Sequence, residues 1–160
     1  MIGTCNCGTV TFEVCQSFLY VHCCHCSWCQ RETGSGFAIN GLVETRHIKV
    51  LTGAPKQLDI QSNSGAGQSL VQCSNCQTTL WSHYSSAKEV IAFVRVGTLY
   101  DAATVDPDIH IYTSTKLPWV TLPDGANIVT EYYRRSAYWP SQSIQRYKEA
   151  LASPAITQDL

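Results

Sequence analysis

Cys73-Ser74-Asn75-Cys76 is the stretch on which the fold turns. Two residues between two cysteines make a tight turn that brings both sulfurs onto one ion. Backbone N–H groups of such a turn can donate to the thiolates. Zinc prefers four ligands in a tetrahedron, and structural sites are closed by four protein groups. The turn supplies two, so two more must come from elsewhere. Cys5-Asn6-Cys7 provides them, because residues two apart in an extended chain point to the same side. Cys5, Cys7, Cys73 and Cys76 therefore form a complete site that clips the start of the chain to its middle. A metal bond across that loop contributes folding energy directly.

Between these halves lies Cys24-His25-Cys26-Ser27-Trp28-Cys29. Cys24 and Cys26 share a face if extended, and Cys29 closes from the next turn. Three sulfurs leave a fourth position free, as in catalytic zinc sites. The competing reading has His25, Cys23 or a distant residue filling that position, which makes a second structural site. Strand alternation turns Cys23 and His25 away from the three sulfurs. His25 could otherwise orient a substrate or take a proton near neutral pH. Cys15, at the end of a strand, reads as a small buried hydrophobe.

Outward from the cysteines, the chain reads as short strands. Thr9–Val14, Phe18–His22, Phe37–Leu42, His47–Leu51, Gln57–Ile60, Ser69–Gln72, Thr78–Tyr84, Val90–Val96 and Ile109–Tyr112 are rich in β-branched and aromatic residues and separated by turn signals. Gln30–Thr33 fits one helical turn stopped by Gly34. Residues 62–67 form a small polar loop with two glycines. Pro140-Ser141 opens a helix, with Ile144, Tyr147 and Leu151 at helical spacing. The fold expected is mainly β: short antiparallel strands supported by zinc, with a C-terminal helix. Residues 1–135 form the zinc domain, and 136–160 a helical extension packed on it.

Composition narrows the function. The chain has 160 residues, a length that suits one domain. Charged residues are 14% against a typical ~25%, and the net charge is −1. Such a chain has no basic field to gather phosphates, so nucleic acid is not an expected partner. Arg134-Arg135 is too short a basic run to alter that. The most apolar stretch, Val90–Val96, contains Arg95 and falls far short of a membrane span. Met1-Ile2-Gly3-Thr4 lacks the basic and apolar regions of a secretory signal, so a cytoplasmic location is expected. The nine cysteines are odd in number and closely clustered. In a reducing compartment that pattern points to metal or catalysis rather than to disulfides.

Among the remaining residues, His22, His47, His83 and His110 have no local partners and read as structural or exposed. Trp119 reads as a core residue, and Lys116 as a solvated lysine that could instead meet a substrate carboxylate. Tyr132, Tyr133, Tyr138 and Trp139 form an aromatic patch suited to covering the core or an interface.

The chain resembles the glutathione-dependent formaldehyde-activating enzyme family, which includes the centromere protein V domain. The residues that carry the resemblance are Gly3–Val14, Cys24–Cys29, Gly34–Phe37, Cys73–Cys76, Leu80-Trp81, Ile109–Ile111, Lys116–Trp119 and Pro123–Gly125. The resemblance covers about the first 135 residues and implies a β-tent-like fold. It assigns one structural zinc to Cys5, Cys7, Cys73 and Cys76, and a second, labile and catalytic zinc to Cys24, Cys26 and Cys29. It implies a carbon–sulfur lyase that condenses a small thiol, glutathione in the namesake enzyme, with formaldehyde. Two positions depart from the family pattern. Gln30 stands where a basic residue is usual, with Arg31 beside it. Gln77 stands where glycine is usual, at a turn that favours positive φ. Two other readings of the thiols compete with the enzyme: a protein-binding module with both zincs structural, and a redox or metal-buffering strip.

Overall fold

The computed structural model describes residues 1–62, 65–87 and 89–153. Its ten strands are β1 (Ile2–Thr4), β2 (Thr11–Val14), β3 (Tyr20–Cys24), β4 (Ala38–Glu44), β5 (Ile48–Thr52), β6 (Pro55–Ile60), β7 (Gln68–Cys73), β8 (Thr79–Tyr84), β9 (Ile91–Arg95) and β10 (Ile109–Ile111). Three α-helices accompany them: α1 (Ser27–Thr33), α2 (Arg135–Tyr138) and α3 (Ser141–Ala152). The protein is therefore mainly β, with a C-terminal helix.

The strands form two sheets. A three-stranded sheet runs β1-β2-β5, and a seven-stranded sheet runs β10-β3-β4-β9-β8-β7-β6. Every pair is antiparallel except β10 with β3, which is parallel. In β2, Phe12 and Val14 are buried while Thr11 and Glu13 are half-buried, as a sheet with one packed face requires. In β3 all five residues are buried, in keeping with its place between β10 and β4.

Two apolar clusters fill the interior. One gathers Cys5, Phe12, Ile48, Cys73, Leu80 and Trp81, so two of the knuckle's four cysteines lie in the core between the sheets. Phe12 and Trp81 meet ring to ring at 5.4 Å. A Cβ at Gly3 would collide with the Phe12 ring, which is why the strand leading to Cys5 carries glycine there. The second cluster gathers Leu19, Cys24, Cys29, Leu42, Ile91 and Ile109 with Trp139, Tyr147 and Ala150. The last three come from the C-terminal segment, which packs on the larger sheet. A buried ion pair fastens it: Arg146 Nε and Nη2 donate to the Glu44 carboxylate at 3.0 and 2.6 Å, and Nη2 also donates to Ser17 O at 3.0 Å.

Several expectations need correction. The helical turn expected at Gln30–Thr33 starts earlier, at Ser27, because Cys26 caps it: the Cys26 sulfur accepts from Cys29 N. Its end is as expected, with Gly34 in the left-handed region at φ 64°. Strand β1 was not anticipated; three residues are too few to show a period. Cys15 is exposed rather than buried. It follows the inward Val14, so the alternation that buries Val14 turns Cys15 out. Trp119 is 71% exposed and lies against Gly36 from outside the core. Lys116 is half-buried rather than freely solvated: its Nζ donates to Leu117 O and Val120 O at 3.1 and 2.6 Å, closing the loop that carries Trp119. In the loop expected over 62–67, Asn63 and Ser64 lie outside the described residues, as do residues 154–160 of the C-terminal extension.

Candidate functional site

The four sulfurs of Cys5, Cys7, Cys73 and Cys76 lie within 4.8 Å of one another. Cys7 Sγ is 3.5 Å from Cys5 Sγ and 3.8 Å from Cys73 Sγ. A tetrahedron of sulfurs at the usual zinc distance has edges of about 3.8 Å, so this donor set fits zinc. The surroundings favour thiolates. Thr9 Oγ1 lies 3.2 Å from Cys7 Sγ, and Asn75 Nδ2 donates to the same sulfur at 3.4 Å. Thr9, through its hydroxyl and backbone, and then Asn75 lower the Cys7 pKa to about 5. Thr78 lowers that of Cys76. Val10 N donates to Cys5 Sγ at 3.3 Å. Gln77 adopts φ 61°, the left-handed turn that its place after Cys76 requires, and its side chain donates to Ser74 O at 3.1 Å.

Cys24 ends β3, Cys26 caps α1 and Cys29 lies in its first turn, and their sulfurs lie within 4.8 Å of one another. Among the described residues no fourth His, Cys, Asp or Glu joins this group. The donors again fit zinc. Hydrogen bonds from the Cys24 and Cys29 side chains, followed by the Cys29 and Trp28 backbone at the start of the helix, push Cys26 far down toward thiolate. Arg95, at the end of β9, adds positive charge near Cys29. Arg95 is buried, donates to Asn40 Oδ1 at 2.5 Å and pairs with Glu32 of α1. Its signal in the sequence was a single charge within an otherwise apolar strand.

Cys23 and His25 point the other way, as alternation requires. His25 Nε2 lies 3.0 Å from His110 Nδ1 and 3.5 Å from Cys23 Sγ. The three form a separate buried group whose donor atoms are close enough to hold an ion. Burial, with His110 and Lys116 nearby, lowers the His25 pKa to about 4. His22, His83 and His110 are buried, in line with the structural reading, and His47 is half-buried and meets its neighbour Arg46 at 3.5 Å. His110 meets His25, His22 Nε2 lies 2.6 Å from the Tyr133 hydroxyl, and His83 Nδ1 lies 3.1 Å from Ile91 O. The partners of His22 and His110 are 111 and 85 residues away in sequence, beyond any local reading. Gln30 does not stand in for a basic residue: its Nε2 donates to His25 O and Thr115 O at 2.7 and 2.9 Å, tying α1 to the loop after β10. Arg31 is exposed.

Cys24, Cys26 and Cys29 open into a cavity of about 430 Å³, within the usual range for small-molecule sites. Trp28, Leu42, Phe93 and Ile111 make its wall largely apolar. Trp28 Nε1 is buried with no hydrogen-bond partner among the described residues. Burial holds the Tyr84 and Tyr112 hydroxyls of the same lining protonated. Burial also pushes His22 down to about 3, with Arg135 adding to the effect, so its ring is neutral. The aromatic patch reaches the cavity through Tyr132, while Trp139 stacks on Tyr20 at 5.6 Å and covers the core. Arg135, read in the sequence only as half of a short basic pair, also lines the cavity.

Residues 1–115 match the model of the family described as glutathione-dependent formaldehyde-activating enzyme. A similar solved structure is a crystal structure of a Rhodobacter sphaeroides protein, a structural genomics target. It is 26% identical, and the match covers 67% of this chain and 92% of that one with a TM-score of 0.48. No curated protein matches the chain. Among the described residues, no helix is long and apolar enough to cross a membrane.

Proposed function

The chain belongs to the glutathione-dependent formaldehyde-activating enzyme family, and from that premise we propose that it is a zinc-dependent carbon–sulfur lyase that joins a small thiol to formaldehyde. Membership supports a glutathione-dependent, formaldehyde-activating function in general. The observation that carries the finer reading is the group of three sulfurs, without a fourth protein donor among the described residues, at the wall of a largely apolar cavity.

Two zinc ions per chain fit the donor sets. Cys5, Cys7, Cys73 and Cys76 hold the structural one. Cys24, Cys26 and Cys29 hold the catalytic one, which is the more labile. Zinc bound at the three cysteines would supply positive charge that lowers the pKa of an incoming thiol. The chain's own residues do the rest. The apolar wall excludes water and strengthens each polar contact within it. The thiol sulfur, having lost its proton, adds to the carbonyl carbon, and the π pair moves onto the oxygen. That oxygen takes one proton, so the product is the S-hydroxymethyl adduct. Trp28 Nε1–H is the donor with the strongest claim to steady the oxygen, since it is buried in the lining and bonds to nothing else described. The protonated Tyr84 and Tyr112 hydroxyls are further donors. Residues 1–135 form the zinc domain and 136–160 its extension, and a reducing cytoplasmic setting suits nine free thiols.

The test measures S-hydroxymethyl adduct formation from glutathione and formaldehyde, with metal content by mass spectrometry before and after thiol exposure. The expected result is two zincs, one lost preferentially to excess thiol, and a rate above the uncatalysed one. A rate equal to the uncatalysed one excludes this reaction. Trp28→Phe should lower kcat roughly 100-fold with little change in KM, the size of effect seen when one oxyanion donor is removed.

A further inference from the structure

The cavity beside the three sulfurs is not built by the family-matched residues alone. Tyr132, Arg135 and Tyr147 line it, and all three lie beyond residue 115. The segment that carries them is held down by the Arg146–Glu44 pair and by Trp139 in the core.

Arg135 is the positively charged member of this wall. The lining contains no Asp, Glu or Lys. Arg95 pairs with the half-buried Glu32 and Arg146 with the buried Glu44, whereas among the described residues no carboxylate pairs with Arg135. Its guanidinium carbon lies 4.3 Å from the Tyr147 ring centroid and 5.7 Å from that of Trp139. Its Nε is buried without a hydrogen-bond partner in the described residues. The Tyr132 hydroxyl takes a side-chain hydrogen bond from Arg135. A guanidinium supported on its faces by aromatic rings is stiff, and the N–H groups that Tyr132 does not use are left for a planar anion. A half-buried positive charge in a largely apolar wall, with no carboxylate in the lining, favours a ligand that brings the counter-charge.

We propose that Arg135 anchors the carboxylate of the thiol substrate, so that the cavity selects thiols bearing a carboxylate on an apolar body. The sulfur sits at Cys24, Cys26 and Cys29, the body lies against Leu42, Phe93 and Ile111, and the carboxylate reaches Arg135. The same wall offers no acid to an ammonium group, so a charged amine on the part of the ligand inside the cavity is disfavoured. This inference rests on the reading of the three cysteines as the thiol's site. It adds to that reading a specificity residue from outside the matched region.

Binding to the full chain, followed by calorimetry, tests it without relying on turnover. The probes are 3-phenylpropanoate, its neutral alcohol 3-phenylpropanol, phenylalanine, and 3-mercaptopropanoate as a competitor. Arg135→Gln should weaken 3-phenylpropanoate by roughly tenfold or more, as expected for loss of a charge-assisted contact, and leave the alcohol within about twofold. Phenylalanine, which adds an ammonium to the same body, should bind at least about tenfold more weakly than 3-phenylpropanoate. The mercaptopropanoate should displace it. Arg135→Lys keeps the charge without the fork and should fall between, which decides the matter if the glutamine variant folds poorly. Equal binding of 3-phenylpropanoate by wild type and both variants overturns the proposal, as does phenylalanine binding equally well. If adduct formation fails while binding remains dependent on Arg135, the reaction is wrong and the anchor stands. If adduct forms but binding ignores Arg135, the anchor is wrong and the reaction stands.

Discussion

The two cysteine groups use the same donor atom in opposite settings. Cys5 and Cys7 come from the start of the chain, and Cys73 and Cys76 from the end of β7 and the turn after it, so an ion there closes a long loop. Their sulfurs are surrounded by fixed donors, Val10 N and Asn75 Nδ2 among them, and Cys5 and Cys73 are buried in the core. Cys24, Cys26 and Cys29 come from six consecutive residues and face a cavity. Binding an ion at the first group orders two distant segments. At the second, the strand end and the helix cap already hold the ligands, so an ion there adds little to folding and is free to do chemistry.

The sharpest way to break that contrast is to remove one sulfur from each group. Cys73→Ser should leave a chain that does not fold. Structural zinc contributes on the order of 10–16 kcal/mol in small domains, as much as the whole stability of a typical one. Cys26→Ser should fold nearly as well as the parent, because serine is itself a good helix cap and can accept the same bond from Cys29 N. It should lose adduct formation and one zinc. Circular dichroism and metal analysis of the two variants check both halves, and the contrast fails if Cys26→Ser unfolds or Cys73→Ser does not.

The difference between the groups also explains what could be read in advance. Cys73–Cys76 and Cys5–Cys7 were legible because a metal site made of short-spaced pairs leaves its geometry in the spacing. The three sulfurs of the second group were legible for the same reason, and so was the turning away of Cys23 and His25, which needs only strand alternation. What surrounds the second group was not. Arg95 reaches it across β4, Arg135 returns from the far end of the chain, and His110 meets His25 because β10 joins β3 in parallel, pairing His110 with Cys23. These neighbours are products of topology, and no window of sequence contains them.

A smaller test concerns the segment that completes only the second group's cavity. Arg146→Ala leaves Glu44, 1% exposed, with only the more distant Arg46 guanidinium at 4.0 Å. Removing one member of a buried pair costs about 3–5 kcal/mol, to be read from urea unfolding of the zinc-loaded chain. Burial acts to raise the Glu44 pKa, but the bonds from Arg146 outweigh it and leave the group below its ordinary value. A lowered carboxylate contributes stability that is complete above its unfolded pKa, about 4.3, and that is lost as pH falls through the folded value. Wild type should therefore lose stability in acid below about pH 4.3, and Arg146→Ala should show less of that dependence. The four-cysteine site should hold its metal in Arg146→Ala at neutral pH, because Glu44 and Arg146 belong to the other core cluster's side of the molecule.

The smallest effect expected lies at the four-cysteine site itself. Gln77 holds φ 61° without the freedom of glycine. A side chain in the left-handed region costs on the order of 1 kcal/mol, offset in part by the entropy that glycine would add to the unfolded chain and by the bond from Gln77 Nε2 to Ser74 O. Gln77→Gly should therefore stabilise the zinc-loaded protein by only about 0.5 kcal/mol, a rise in Tm of a degree or two. It should leave adduct formation unchanged, since residue 77 is on the far side of the comparison from the cavity. A gain of that size without a change in rate keeps the two groups separate. A change in rate would mean that strain in the knuckle is felt at the three sulfurs, and the division between a site that folds the chain and a site that does chemistry would no longer hold.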